Sequence, residues 1–181
     1  MGAKGGVMTF YSMLSKYYDD VFPASPKEMG FVNQKLASKV NLLDIGCGNG
    51  NKTVLLAAPG RAVLGVDNDA GMIEVARDKY AAPSVNYMVT DMAGIGVGLG
   101  SQSFDGVLCL GNTLVHLPNN DAVRHFLNDV YKLLVPGGVF IVQILHYEWI
   151  IQGKIASLPF TETDHVVFTR NYAWRGGELH F

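Results

Sequence analysis

Val40-Asn41-Leu42-Leu43-Asp44-Ile45-Gly46-Cys47-Gly48-Asn49-Gly50 decides how this chain is read. The run from Val40 to Ile45 is apolar without strict alternation, which marks a strand covered on both faces. It ends in the pattern G-x-G-x-G. Glycine reaches positive φ at little steric cost and lets backbone approach a ligand closely. A helix expected over residues 51 to 58 would aim its anion-favouring N-terminus at the same place. A glycine turn can also be a plain turn with no ligand, and the spacing differs from the dinucleotide pattern G-x-G-x-x-G.

Outward from this stretch, strands and helices alternate. Upstream lie a tyrosine-rich helix over residues 12 to 20 and a helix over 27 to 39 behind Pro26, a good first-turn residue. Met29, Val32, Leu36 and Val40 fall near one face of the second. Downstream, strands are expected at 62–66, 85–89, 104–110 and 139–145. Asp69 caps a helix running to about Tyr80. A helix over 121–134 carries Val123, Phe126, Leu127, Val130, Leu133 and Leu134 at helical spacing, and Pro136-Gly137-Gly138 ends it. The pattern predicts an α/β fold: a Rossmann-like, doubly wound, mostly parallel sheet with helices on both faces. An N-terminal helical lid precedes it, and incomplete antiparallel strands follow around Arg175-Gly176-Gly177.

Composition narrows the classes. The chain has 181 residues, 49% hydrophobic and 17% charged, with net charge −2. The charged share is low against the usual quarter or so, so partner subunits or further chain are expected to cover surface. No basic stripe marks a nucleic-acid binder. Lys27, Lys35 and Lys39 read as a solvated helix face. The two cysteines, Cys47 and Cys109, sit in apolar surroundings and lack four-ligand zinc spacing, which fits a reduced, cytoplasmic protein without a metal. No apolar run is long enough to span a membrane. Residues 1–10 read as leader residues, with Met8 as an alternative start. Residues 11–181 read as one domain, possessing an exposed C-terminal sheet edge through which a homo-oligomer could form.

Two acids follow the second and third strands, beside the glycine turn after the first. Asp67 lies 21 residues after Gly46, where doubly wound folds place an acid that accepts from ribose hydroxyls. Its plainer reading is a helix cap, a role Asp69 can already fill. Asp91 follows the third strand in Val89-Thr90-Asp91-Met92, where it could accept from an adenine amino group or simply face water. The set marks the carboxyl edge of the sheet, where open α/β sheets bind ligands.

These motifs resemble those of class I S-adenosylmethionine-dependent methyltransferases. Leu42 to Gly50 is similar to their glycine motif, and Val63-Leu64-Gly65-Val66-Asp67 to their acidic motif. Phe104-Asp105-Gly106-Val107 and Leu134-Val135-Pro136-Gly137-Gly138 are similar to their fourth-strand and pre-fifth-strand motifs. The resemblance implies S-adenosyl-L-methionine as cofactor and S-adenosyl-L-homocysteine as product. It draws the cofactor site from Tyr11, Tyr18, Asp44, Gly46, Cys47, Gly48, Asp67, Asn68, Met72, Asp91, Met92 and Leu110, with Asn68 and Met72 flanking the adenine.

A narrower resemblance, to glycine N-methyltransferases and related small-molecule enzymes, rests on Cys109-Leu110-Gly111-Asn112-Thr113-Leu114-Val115-His116-Leu117-Pro118, on Tyr11 and on Tyr17-Tyr18-Asp19-Asp20. It implies a small polar acceptor, an amine or a hydroxyl, bound by Asn112, His116, His146 and Tyr147. Asn112, His116 and Tyr18 would orient the acceptor or act as base. For His116, capping or packing is the plainer role. The arginine that holds glycine's carboxylate in those enzymes falls at Leu145 here, which points away from glycine itself. Two other readings compete: an NAD(P)-dependent oxidoreductase, and a non-catalytic domain that binds S-adenosylmethionine.

Overall fold

A computed structural model describes residues 10–176 and 178–180, the side chains of residues 10, 12 and 178 apart. The leader residues 1–9 with Met8, Gly177 of the expected turn, and Phe181 lie outside the described residues. In chain order the elements are α1 (Phe10–Leu14), α2 (Tyr18–Val21), α3 (Pro26–Lys35), β1 (Asn41–Ile45), β2 (Ala62–Asp67), α4 (Ala70–Lys79), β3 (Val85–Val89), α5 (Ile95–Leu99), β4 (Phe104–Cys109), α6 (Asn120–Leu133), β5 (Leu134–Val142), α7 (Tyr147–Gln152), β6 (Ser157–Glu162), β7 (Val167–Asn171), β8 (Ala173–Arg175) and β9 (Glu178–His180). They fall into two compact units. Of the described residues, the first holds 10–16 and Ala24–Ile144, and the second holds Tyr17–Pro23 and those from Leu145 onward.

The first unit is a five-stranded parallel sheet in the order β3-β2-β1-β4-β5. Strand order reverses between β1 and β4, so a crevice opens at the carboxyl ends of those strands. Successive β1 side chains serve opposite faces. Leu42 joins Met29, Val32 and Leu36 of α3 and Ile73 and Ala76 of α4. Leu43 joins Ile95 and Leu99 of α5 and Phe126, Val130 and Leu133 of α6. Helices on both faces explain why the strands read as unbroken apolar runs.

Local chemistry sets the boundaries. Ser25 caps α3, its Oγ accepting from the Glu28 amide at 3.4 Å, with Pro26 in the first turn. Asp69 caps α4 by accepting from the Met72 amide at 3.0 Å, as the sequence leads one to expect. The helix expected over 51–58 is instead a single 3₁₀ turn, Thr53–Leu56, because Asn49, Asn51 and Thr53 turn inward and are buried. The expected helical lid is short pieces, α1 and α2, joined by a 3₁₀ turn.

β5 begins at Leu134, straight after α6, rather than at Val139, and ends at Val142 rather than Leu145. Its pairing with β4 shifts register between Phe104 and Gly106, opposite Pro136-Gly137-Gly138, so those residues form an irregularity within the strand. The Phe104-Asp105-Gly106 motif is structural. Asp105 accepts from the amides of Val40 and Asn41 at 2.9–3.0 Å and fixes the start of β1. A side chain at Gly106 would collide with Leu42 and Leu36.

The second unit pairs β6 with β7 and β8 with β9, both antiparallel and each a separate two-stranded sheet. β5 forms one edge of the five-stranded sheet among the described residues.

Arg61 knots the sheet's lower edge. Its guanidinium donates to the carbonyls of Leu36, Lys39 and Leu56 at 2.8–3.1 Å and to Asn33 Oδ1 at 3.1 Å. It therefore satisfies the carbonyl end of α3 and the 3₁₀ turn together. Replacing Arg61 with Met should lower the unfolding free energy by about 2–4 kcal/mol, since bonds from a charged donor to buried acceptors are lost. Urea unfolding with an unchanged slope would measure it. A loss below about 0.5 kcal/mol, the scale of an ordinary surface change, would show that these contacts are incidental.

Candidate functional site

Every tip residue singled out between positions 44 and 113 lies at the carboxyl edge of the parallel sheet. β1 runs directly into the glycine turn. Gly46 and Cys47 both donate to the Val66 carbonyl, at 2.8 and 3.0 Å, so sheet pairing extends into the loop. Gly46, Gly48 and Gly50 all have positive φ, at 72°, 57° and 85°. These are conformations that an L side chain resists.

Asp67, at the tip of β2, joins this turn to the next loop. One carboxylate oxygen accepts from the Gly48 amide and the other from the Asp69 amide, both at 2.9 Å. The carboxylate is thus committed to backbone more fully than a free ligand acceptor would be, although each oxygen retains a second lone pair. Burial raises its pKa, and the backbone amides only partly oppose that.

Asp44 is buried beneath the turn, where it accepts from Thr53 Oγ1 at 2.6 Å. Burial pushes its pKa up to about 6; the Thr53 bond and the Lys52 charge oppose this, while Asp67 and Glu28 add to it. Lys52 donates to both carboxylate oxygens of Glu28 at 3.0 Å. Asp91 is exposed after β3 and caps a short turn, its Oδ1 accepting from the Ala93 amide at 2.9 Å. Asn68 is exposed, Met92 half-buried, and Met72, Cys47 and Leu110 are buried.

Asn112 follows β4 in the left-handed conformation, φ 68°, directly after Gly111 at φ 67°. Gln143, just past β5, holds this turn: its Oε1 accepts from the Gly111 amide at 2.8 Å, and its carbonyl accepts from the Asn112 amide at 3.3 Å. The Tyr11 hydroxyl lies 3.1 Å from His116 Nε2, with the rings edge to face. Partial desolvation lowers the His116 pKa, against the pull of Asp67. The shift favours the neutral ring, which can accept a proton.

Tyr18, His146 and Tyr147 belong to the second unit. There His146 caps α7, its Nδ1 accepting from the Trp149 amide at 3.0 Å. Thr53, Lys52, Glu28 and Gln143 were not anticipated. Only Thr53 left a trace, as a small hydroxyl residue one turn beyond the glycines.

The tips of β1 and β4 are fitted to each other. A methyl group on Gly46 would overlap the Thr113 side chain. Gly46→Ala should therefore cost about 1–3 kcal/mol, from left-handed strain and from crowding. Adding Thr113→Ala should restore the crowding share and leave the strain, a non-additivity that a double-mutant cycle measures. A neutral Gly46→Ala would refute the fit.

The sequence matches the family described as "Methyltransferase domain" over residues 42–138, more than half of the chain. Glycine N-methyltransferase of Rattus norvegicus is 29% identical over 144 residues, covering 71% of this chain and 47% of the relative. The chain thus spans about half the length of that enzyme. Among solved structures, the CcbJ methyltransferase of Streptomyces caelestis has a TM-score of 0.72 and 26% identity, covering 92% of this chain and 70% of its own. The S-adenosylmethionine-bound amino pentose methyltransferase CalS10 of Micromonospora echinaspora has a TM-score of 0.70 at 21% identity, covering 97% of this chain and 73% of its own. The matched span runs from Leu42 in β1 to Gly138 in β5, and on it this chain belongs to the methyltransferase-domain family.

Proposed function

We propose that this chain is an S-adenosylmethionine-dependent methyltransferase acting on a small polar acceptor with an amine or hydroxyl nucleophile. The observation that carries the reading is the charge at the sheet tips. Asp44, Asp67 and Asp91 lie within, at and just beyond the carboxyl ends of three adjacent strands, and the nearby cation Lys52 is engaged by Glu28. That acceptor set suits a ligand rich in N–H and O–H donors and carrying positive charge. It does not suit a dinucleotide pyrophosphate, which calls for a helix N-terminus. A 3₁₀ turn of four residues follows the glycines instead. The oxidoreductase reading is disfavoured on this ground.

In this reading Asp67 accepts from the ribose hydroxyls, Asp91 from the adenine amino group, and Asp44 faces the amino-acid end beneath the Gly46–Gly50 turn. Bound, S-adenosylmethionine supplies an activated sulfonium methyl group. The chain's own residues then bind and align. Orientation of reacting groups supplies roughly 7–11 kcal/mol at its upper end. Asn112, fixed by Gln143, presents an amide to the acceptor. His116, neutral and steadied by Tyr11, can take a proton from an amine or hydroxyl. Tyr18, His146 and Tyr147 remain candidates for the acceptor side through their own chemistry.

Titration with S-adenosylhomocysteine and NAD by calorimetry tests the cofactor, and a methyl-transfer screen over small amines and hydroxy compounds separates an enzyme from a domain that only binds. Asp67→Ala should weaken S-adenosylhomocysteine roughly 10- to 100-fold, the loss of charge-assisted bonds of about 1.5–3 kcal/mol. Unchanged affinity would remove Asp67 from the site.

Asp44 generates a pH prediction. Its raised pKa means that the protonated acid is the form the fold prefers, so its contribution to stability falls as pH rises through about 6. A ligand with an ammonium group selects the ionised form. Affinity should therefore climb with pH up to about 6 and level off above it. Binding at pH 6 should release about half a proton, read from calorimetry in buffers of different ionisation heat. No proton release, or release that persists in Asp44→Asn, would place the ammonium elsewhere.

A further inference from the structure

Within the second unit, β7 alternates. Val167, Thr169 and Asn171 are exposed, while Phe168 and Arg170 share the other, partly covered face. Such a face normally carries apolar side chains. Phe22, just beyond α2, packs edge-on against Phe168 with ring centroids 5.2 Å apart, and Tyr18 lies 5.0 Å from Phe22. The Arg170 guanidinium carbon sits 6.0 Å from the Phe22 centroid and 5.9 Å from that of Phe168. An arginine is thus set against a pair of touching phenyl rings on the partly covered side of a hairpin.

Cation–π contact uses the positive charge but satisfies none of the five N–H donors. Its backbone belongs to the β6–β7 ladder, but among the described residues the Arg170 guanidinium makes no hydrogen bond and no ion pair. Two acids of the same unit are engaged elsewhere: Asp20 is 3.4 Å from His165, and Glu148 accepts from Gln152 at 2.9 Å. A planar guanidinium with unspent donors matches a carboxylate in bidentate geometry. One guanidinium balances one monoanion. A phosphate dianion calls for several cations, and the neighbours here are phenyl rings, which suit an apolar or aromatic body.

We propose that Arg170, set beside the touching rings of Phe22 and Phe168, is a carboxylate-binding residue whose ligand is a small monocarboxylic acid with an apolar or aromatic body. This site stands independently of the methyl-transfer reading.

Benzoate tests it, with benzamide as the neutral isostere and inorganic phosphate as the other anion. The full chain, labelled with ¹⁵N-arginine, is titrated while the Arg170 Nε–H resonance is followed, assigned by its loss in Arg170→Met. That resonance should move saturably with benzoate, and benzamide should bind about tenfold more weakly or worse. Arg170→Met should erase the preference while keeping its thermal midpoint near that of the parent. Should that variant not fold, Arg170→Lys keeps the charge but not the planar fork, and should bind benzoate several-fold more weakly. Equal binding of benzoate and benzamide, no saturable shift, a preference that survives in Arg170→Met, or benzoate affinity undiminished in Arg170→Lys would reduce Arg170 to a packing cation and overturn the proposal. Phosphate binding tighter than benzoate would overturn the carboxylate assignment.

Discussion

The Asp67 carboxylate, bridging the Gly48 and Asp69 amides at 2.9 Å each, is the constraint on which the sheet tips depend. It ties the loop after β1 to the loop after β2. With Gly48 held, the turn keeps its run of left-handed glycines and the amides of Gly46 and Cys47 stay on the Val66 carbonyl. With the Asp69 backbone held, that residue's own side chain is placed to cap α4. A single charged acceptor thus orders two loops and the start of a helix. Hydrogen bonds to a charged group are worth about 1.5–3 kcal/mol each, above the usual neutral value. Burial still wins over them, because the Asp67 pKa is raised rather than lowered.

The same imbalance recurs at Asp44, and it sets the sign of the site. A rise to about 6 from an ordinary 3.8 corresponds to a penalty of about 3 kcal/mol on the ionised form. Thr53 and Lys52 reduce that penalty without removing it. Lys52 is shared with Glu28, so its charge is partly spent. A glycine-rich loop commonly serves anions through a helix N-terminus. Here the loop leads into a 3₁₀ turn, and carboxylates surround it. The glycines provide close backbone packing, while the electrostatics favour positive charge and hydrogen-bond donors.

The parallel sheet and the acids at its tips were legible because each depends on short-range pattern. Unbroken apolar runs mark doubly covered strands, and an acid directly after such a run lands at the carboxyl edge. What stayed hidden depends on partners distant in sequence. The stretch 51–58 has a helical look, yet Thr53 turns inward to Asp44. α5, with its glycines, has poor intrinsic helicity. It forms because Ile95 and Leu99 are buried, and because Gly96 lies so close to the Asp129 carboxyl that a side chain there would collide. β6 contains Pro159, which cannot donate to a ladder, and its pairing with β7 is irregular between Leu158 and Thr161. Gln143 gave no signal, since a lone glutamine beyond a strand acquires meaning only from the Gly111 amide it meets.

The acceptor side of the crevice shows why rigidity and chemistry coincide at these tips. Asn112 occupies a left-handed conformation that a non-glycine residue adopts at a cost, and asparagine tolerates it better than most. The cost is sustained because Gln143 holds both amides of the turn and Thr113 Oγ1 donates to the Leu110 carbonyl at 2.7 Å. Thr113 in turn occupies the space that a side chain on Gly46 would need. The turn after β4 and the turn after β1 are therefore a matched pair, each shaped by what the other lacks. A methyl donor that is already activated asks the protein chiefly for alignment. Two loops that cannot shift independently supply alignment without requiring a strong acid or base, and the close packing of Gly46 against Thr113 is where that rigidity originates.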